Sequence, residues 1–185
     1  MVPAPFAVIL DANVLFSAPL RDTLLRAAAE GLFQARWSKH ILDEVQRNLI
    51  AKTGKPAAKI ARLRAEMTRN FSDALVEGYE PFIQDMRNDV DDRHVAAAAV
   101  KCGAQVIVTH NLRDFGELPD GIEAQSPDEF LCNLFDLDPR KMVDLLREQA
   151  ADLRAPPVSF DELLERLRRV TPELITLVTA HLEAE

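Results

Sequence analysis

Short apolar runs that end at polar residues recur along the chain. Residues 6–10 form a continuous apolar pentad, and Asp11 follows it directly. Residues 106–109 repeat this arrangement before a second polar segment. Apolar runs of this length are typical of buried strands in a parallel sheet. Residues 32–37 and 122–125 are predicted as two further short strands. Ligands of an open parallel sheet bind at the carboxyl ends of its strands, which is where Asp11 is expected.

Apolar residues at helical spacing predict helices between and after these strands. Ser38 is a favourable N-cap for a helix that runs to about residue 52. An alanine run within residues 91–103 indicates a helix packed closely on the sheet. Further helices are predicted over residues 21–31 and 56–71 and, from proline and capping patterns, with starts near residues 127, 139, 160 and 172. This order of elements predicts a three-layer α/β/α sandwich with a central parallel sheet.

Charge is distributed unevenly along the chain. The 185 residues carry a formal net charge of −8, so bulk electrostatics do not attract nucleic acid. Residues 36–69 nevertheless carry nine Lys and Arg against three acids, which gives 9 − 3 = +6, and residues 70–93 carry seven acids against two arginines. A basic helical hairpin beside an acidic segment suits the gripping of a phosphate backbone. Two solvated helix faces would give the same pattern.

The remaining composition argues against several classes of protein. Cys102 and Cys132 show no CxxC or CxxH spacing, which argues against zinc and against a disulfide framework. The start of the chain has neither a basic segment nor a long apolar core, so no signal peptide is expected. The longest apolar run, residues 95–100, is too short to span a membrane. We therefore predict a cytoplasmic protein with no membrane partner.

Acidic residues stand where the predicted elements meet. Asp11 ends the first strand, Glu44 lies on the helix after the second strand, and Asp92 lies in the first turn of the alanine-rich helix. Asn111 and Asp114 follow the strand at 106–109. In the predicted sandwich these positions converge on one sheet edge, where like charges raise each other's pKa unless a cation binds. Oxygen ligands favour Mg²⁺ or Mn²⁺ over Zn²⁺, and the chemistry implied is phosphoryl transfer.

Several neighbouring residues have simpler interpretations. Asp91 is predicted to cap the alanine-rich helix rather than to bind a metal. His40 and His94 are expected to be structural or exposed, and neither is given a place in the mechanism. Trp37 and Phe33 could stack on nucleobases, but their place in the short second strand predicts core positions.

Four segments, taken in order and at their spacing, resemble the four motifs of PIN domains. They are VILDANV (8–14), SKHILDEV (38–45), DDRHVAAA (91–98) and VIVTHNLRDF (106–115). Within that family the chain looks most similar to VapC-type toxin ribonucleases, which are partnered with antitoxins in bacteria. The resemblance covers roughly residues 5–135 and implies metal-dependent cleavage of RNA. We accordingly predict a PIN-like nuclease domain over residues 1–135 and a helical C-terminal extension over residues 136–185.

The resemblance also implies roles for individual residues. Asp11, Glu44 and Asp92 fall on the family's three principal acids and are the predicted catalytic residues and metal ligands. The fourth acidic position falls on Asn111, a departure that puts a second metal ion in doubt. Asp114, three residues further on, is a catalytic candidate that either substitutes for this acid or holds the loop.

Supporting roles are predicted for four residues near the acids. Asn13 and Thr109 would orient the carboxylates by hydrogen bonding, as residues behind metal ligands do. Asn111 and Arg93 are placed with them, next to the predicted substrate.

The leading hypothesis is a metal-dependent endoribonuclease that acts as the toxin of a type II toxin–antitoxin pair. A metal-activated water would hydrolyse the RNA phosphodiester, and the cofactor would be Mg²⁺ or Mn²⁺. The expected partners are RNA, a cognate antitoxin and, because dimers are common among relatives, a second copy of the chain. The alternative is a catalytically weak PIN-like module that binds RNA or protein, and the departure at Asn111 motivates it.

Two other classes of function fit the sequence less well. A phosphatase of the haloacid dehalogenase kind needs an acid two residues after the strand-end aspartate, where this chain has Asn13. A dinucleotide-binding fold needs a glycine-rich turn after the first strand, and none is present there.

Overall fold

A computed structural model of the chain describes residues 6–184. The strands within this range are β1 (Ala7–Leu10), β2 (Gln34–Ser38), β3 (Leu75–Val76), β4 (Val106–Val108) and β5 (Glu123–Gln125). They form one sheet in the order β3-β2-β1-β4-β5, and every neighbouring pair is parallel. The predicted parallel sheet is confirmed, with the strand that precedes Asp11 at its centre.

Helices connect the strands and make up the last third of the chain. The α-helices of the described range are α1 (Ala12–Phe16), α2 (Ala18–Ala29), α3 (Lys39–Thr53), α4 (Ala57–Asn70), α5 (Arg93–Cys102), α6 (Pro127–Leu137), α7 (Pro139–Asp152), α8 (Phe160–Arg168) and α9 (Pro172–Ala184). Short 3₁₀ helices cover Ser72–Ala74, Glu80–Asp85 and Leu112–Phe115. None of the helices in residues 6–184 has the length and apolar character needed to cross a membrane.

The sheet is buried on both faces, as a parallel sheet requires. Residues 8–10 of β1 and residues 95–99 of α5 are fully buried. Helix α5 packs against β1, β2, β3 and β4 on one face. In the strand order β3-β2-β1-β4-β5, the connection from β1 to β2 moves toward the β3 edge of the sheet. The connection from β3 to β4 moves toward the β5 edge, which is the opposite direction. Because such crossovers are right-handed, α2 lies on the face opposite α5. The predicted three-layer α/β/α sandwich is therefore confirmed.

The C-terminal helices pack on one another and on α2. Helix α6 contacts α9, and α7 and α8 both contact α2. Their predicted starts near residues 127, 139, 160 and 172 are confirmed. Ser126 and Asp138 each accept a hydrogen bond from the amide three residues on, and Ser159 forms a complete capping box with Glu162. The division of the chain at residue 135 stays a prediction, since α6 spans that point.

The sequence pattern missed several short elements. A helix predicted over residues 21–31 begins at Ala18 and is preceded by the separate five-residue helix α1. Asp11 caps α1, and Pro19 lies in the first turn of α2. Strand β3 has two residues in an acidic, turn-rich segment and was not predicted, because the apolar run that contains it, residues 74–76, is too short to indicate a strand. It is positioned by pairing with the end of β2.

One buried polar contact joins the C-terminal helices to the sandwich. The hydroxyl of Thr23 on α2 lies 2.8 Å from Oε1 of Gln149 on α7 and 3.0 Å from the carbonyl of Pro19. Nε2 of Gln149 donates to the same carbonyl, and the Gln149 side chain is fully buried. Burial away from water leaves these groups dependent on each other for hydrogen bonds.

We expect Thr23→Val to lower the free energy of unfolding by about 1–3 kcal/mol, because Oε1 of Gln149 loses its partner in a site without water. Urea denaturation monitored by circular dichroism measures the change. Thr176→Val is the matched control, since its hydroxyl bonds to a carbonyl one turn earlier on an exposed face. Equal losses in the two variants would show that the buried contact contributes nothing specific.

Candidate functional site

Asp11 lies at the carboxyl end of β1 and is 4% exposed. Its Oδ1 accepts a hydrogen bond of 2.7 Å from the amide of Ala12. Its Oδ2 accepts from Nδ2 of Asn13 and from the hydroxyl of Thr109, both at 2.8 Å. Burial raises the pKa of Asp11, while these three hydrogen bonds and the nearby His110 oppose the rise. The carboxylate is therefore fixed in orientation and partly desolvated.

The hydrogen bonds around Asp11 extend into the loop after β4. Nδ2 of Asn13 also lies 3.0 Å from the hydroxyl of Thr109, and the Oδ1 atom of Asn13 accepts from the amide of His110. The Thr109 hydroxyl accepts in turn from the amide of Asn111. Asn13 and Thr109 are thus in contact with Asp11, as their predicted orienting role requires. Asn111 is exposed and adjoins this network through its backbone.

Glu44 lies on α3 and is half-buried. Its carboxylate is 3.6 Å from Nε2 of His94 and 3.8 Å from the guanidinium of Arg47. Burial raises the pKa of Glu44, and the charges of Asp11 and Asp91 raise it further, while His40 and Arg47 oppose them. The negative charge of Asp11 therefore disfavours ionisation of Glu44.

Asp92 occupies the N-cap position of α5, but its side chain makes no capping hydrogen bond. The prediction that Asp91 caps this helix is therefore wrong. The pKa of Asp92 is raised to about 7, first by burial and then by the charges of neighbouring acids, which are Asp11, Asp114, Glu44 and Asp89. The carboxylate of Asp92 is thus repelled, when ionised, by four other acids of the site.

A backbone contact brings the loop of Asp114 against the loop before α5. The amide of Asp89 donates to the carbonyl of Asp114 at 3.0 Å. The carboxylate of Asp89 accepts from the amide of Asp91. Asp89 was not predicted as a site residue, and only its position three residues before Asp92 could have indicated it. Arg93 donates to the carbonyl of Asn88 rather than to any of the acids.

The donors at this sheet edge are of the types that bind a divalent cation, but the oxygens of the three acids do not all lie within 4.8 Å of one another; among the described residues, the group that meets this distance is His40, Glu44 and His94. Asp11, Glu44 and Asp92 come from three different elements, and each has its pKa raised by burial. Mutual repulsion adds to this effect at Glu44 and Asp92. A cation bound among the carboxylates would remove the repulsion, and oxygen ligands favour Mg²⁺ or Mn²⁺.

Two histidines adjoin the acids, and neither was predicted to take part in the chemistry. The rings of His40 and His94 are stacked, with centroids 3.8 Å apart. His94 is 5% exposed, and neither of its ring nitrogens has a hydrogen-bond partner. Burial, together with His40, lowers the pKa of His94 to about 4, so the ring is neutral. Because His40 and Glu44 are four residues apart on one helix, the sequence could have indicated that these two side chains are neighbours.

The basic hairpin is formed by α3 and α4. Lys55, Lys59 and Arg62 line an open groove of about 590 Å³ together with Arg21. Four basic residues of the hairpin are in ion pairs, because Lys39 and Arg64 pair with Asp43, Arg47 pairs with Glu44, and Arg62 pairs with Glu66. Within the described part of the chain, Lys55 and Lys59 take part in no ion pair. The predicted core positions of Trp37 and Phe33 are confirmed, since both side chains are buried.

Comparison with known proteins identifies two matching families. A model described as "PIN domain" matches residues 7–113, which is more than half of the chain. A model described as "VapC50 C-terminal domain" matches residues 127–179. The chain is 36% identical over 103 residues to "Putative ribonuclease VapC50" of Mycobacterium tuberculosis. That alignment covers 54% of this chain and 61% of the relative, so the chain matches about three fifths of the relative's length.

The extent of the first match agrees with the structure. It runs from β1 to the 3₁₀ helix after β4 and includes Asp11, Glu44 and Asp92. The second match begins with α6 and ends within α9, so it covers the helices that pack beside α2. The first match thus spans four of the five strands of the parallel sheet and all three acids, and the chain belongs to the PIN domain family.

Proposed function

We propose that the protein is a metal-dependent endoribonuclease that hydrolyses RNA phosphodiester bonds. The observation that carries this proposal is the placement of Asp11, Glu44 and Asp92 on three separate elements at one edge of the parallel sheet, where the charges of neighbouring acids add to the burial that raises the pKa of Asp92. Acids crowded in this way disfavour one another's ionisation and call for a cation. Membership of the PIN domain family and similarity to a protein named as a ribonuclease also support the proposal.

In the proposed site, Asp11, Glu44 and Asp92 hold the cation. A bound divalent cation would lower the pKa of a water molecule and offset the charge that develops on the phosphate. Asn13 and Thr109 both donate to Oδ2 of Asp11 and, together with the amide of Ala12 on Oδ1, keep the carboxylate in a fixed orientation. The protein's part in the reaction is thus to position charge before the substrate arrives.

The remaining predicted residues have more distant roles. Asp114 adds negative charge near Asp92 and, through its carbonyl, anchors the loop of Asp89. Arg93 is held by the carbonyl of Asn88, and Asn111 is exposed beside the Asp11 network. We propose that Asn111 contacts substrate and that Arg93 supports the loop before α5.

We further propose that the protein is the toxin of a type II toxin–antitoxin pair. The similarity to a VapC50 protein and the match to a VapC50 C-terminal domain support this assignment. A cognate antitoxin, an RNA substrate and a homodimer are the partners we propose on the same grounds. A cytoplasmic location follows from the same proposal, since RNA is the substrate.

We expect the wild-type protein to cleave a mixed RNA pool in Mg²⁺ or Mn²⁺ and to lose this activity in EDTA. Asp11→Asn should reduce the rate by about a hundredfold or more, because it removes a charged group from the reacting centre. Gel analysis of 5′-labelled RNA measures both effects. Asp144→Asn is the matched control, because it makes the same change at an exposed position on α7.

The same experiment separates the nuclease from the catalytically weak binding module. The module is favoured by Asn111, which replaces the fourth acid. Binding of RNA by the folded wild-type protein without any cleavage in either metal would contradict the nuclease proposal. Cleavage that persists in Asp11→Asn would contradict the assigned site.

Asp92→Asn should raise the melting temperature in EDTA at pH 8. The raised pKa of Asp92 means that the folded protein holds this proton more tightly than the unfolded chain does. Protonation of Asp92 in the folded protein contributes stability that is complete below about pH 4 and is lost as the pH rises through 7. The gain from Asp92→Asn should therefore be smaller at pH 5 than at pH 8.

Differential scanning fluorimetry at the two pH values measures this difference. Asp144→Asn serves again as the control, because it makes the same change at an exposed position. A gain from Asp92→Asn that is equal at pH 5 and pH 8 would refute the role of ionisation. The same variant should have lost RNA cleavage, so that greater stability accompanies lower activity.

The double variant Lys55→Gln/Lys59→Gln should bind RNA more weakly in the Asp11→Asn background, where the RNA stays intact. These lysines are exposed at the turn of the basic hairpin, between α3 and α4 and in the first turn of α4, and they line its groove. For single-stranded RNA, the slope of log K against log salt concentration should fall by roughly 0.7 for each phosphate that the variant no longer neutralises. Fluorescence anisotropy at several salt concentrations measures it. Lys101→Gln is the control, and an equal effect there would exclude a specific role for the hairpin.

A further inference from the structure

We propose that His40, Glu44 and His94 form a second metal site, which selects a divalent cation of the Zn²⁺ type. This site shares Glu44 with the proposed all-carboxylate centre but differs from it in chemistry, because two of its three ligands are imidazoles. Nitrogen ligands suit Zn²⁺ and related ions, whereas Mg²⁺ prefers oxygen. The missing CxxC and CxxH motifs argue against a zinc site built on cysteine, but the ligands proposed here are two histidines and a glutamate.

The spacing of the donor atoms supports the site. One ligand atom from each of the three side chains lies within 4.8 Å of the others. Nε2 of His94 and Oε2 of Glu44 are 3.6 Å apart, which is too long for a hydrogen bond. Two ligands on a tetrahedral zinc ion with bonds near 2.1 Å are separated by about 3.4 Å. The measured separation is therefore close to that of two ligands around one ion.

The burial of His94 supports the site independently. This side chain is more than nine-tenths buried, and both of its ring nitrogens lack hydrogen-bond partners. Buried polar groups in proteins are nearly always satisfied. The ring lies against Glu44 and His40, which are the groups that would share an ion with it. A cation would satisfy Nε2, which otherwise has no hydrogen-bond partner.

His40 can complete the site without a change in the backbone. It lies four residues before Glu44 on α3, so both side chains project from the same helix face. Its ring is now nearly parallel to that of His94, at an angle of 12°, and must tilt to direct a lone pair at a shared ion. Because His40 is exposed, its side chain has room for this rotation. The guanidinium of Arg47 is also exposed and can move from Glu44.

Zinc binding should be measured by competition with a chromophoric chelator, in the presence of excess Mg²⁺. Wild-type protein is expected to bind one Zn²⁺ that Mg²⁺ does not displace. His40→Ala should weaken Zn²⁺ binding by at least about tenfold, since losing a direct ligand costs no less than losing a residue behind one. The exposed position of His40 makes this variant safe for folding. His94→Gln should have a similar effect, with its fold verified by circular dichroism.

Two control variants identify the site that is occupied. His181→Gln removes a histidine on α9, outside the cluster, and should leave Zn²⁺ affinity unchanged. Asp11→Asn disables the proposed nuclease centre and should also leave Zn²⁺ affinity unchanged. Unaltered binding in His40→Ala would overturn the proposal, and so would a loss in Asp11→Asn as large as that in His40→Ala. Because no RNA is involved, the result does not depend on whether the protein is a nuclease.

Discussion

The carboxylate of Asp11 is buried at the end of the central strand and is held there by a backbone amide and by the side chains of Asn13 and Thr109. These hydrogen bonds join β1, the start of α1 and the loop after β4. Strand β1 is paired with a neighbour on each side. The hydrogen bonds to Asp11 therefore fix its carboxylate relative to the centre of the sheet, which defines the geometry of the acidic edge. A side chain fixed in this way needs no reorganisation when a charged ligand arrives.

The acids of the site are kept in place by the surrounding fold rather than by attraction among themselves. Asp92 stands at the start of α5, whose alanines are buried against four strands. Glu44 is carried by α3, whose apolar face is fixed in the core. Hydrophobic packing therefore holds together carboxylates that repel one another. Proteins commonly store unfavourable interactions of this kind at functional sites.

The sequence predicted the long elements well, because their patterns are local. The starts of α6 to α9 follow from proline and capping residues that act within one turn. Strand β3 was missed, since its two residues are placed by pairing with β2 and not by their own composition. The placement of Asp11 directly after the central strand could be predicted from the rules for parallel sheets.

The pairing of His94 with His40 and Glu44 could not be predicted in the same way. It depends on how two helices, α3 and α5, approach each other beside the sheet. Likewise, the backbone contact between Asp89 and Asp114 joins two loops that no sequence pattern relates. Contacts between separate irregular segments are the part of the site that sequence patterns describe least well.

The sheet ends on short strands at both sides, with two residues in β3 and three in β5. An unpaired edge of this length offers few free amides and carbonyls to another chain. Growth of the sheet from one molecule into the next is therefore disfavoured, and the fold is protected from aggregation through its strands. We therefore expect any self-association of this protein to use surfaces other than the edges of its sheet.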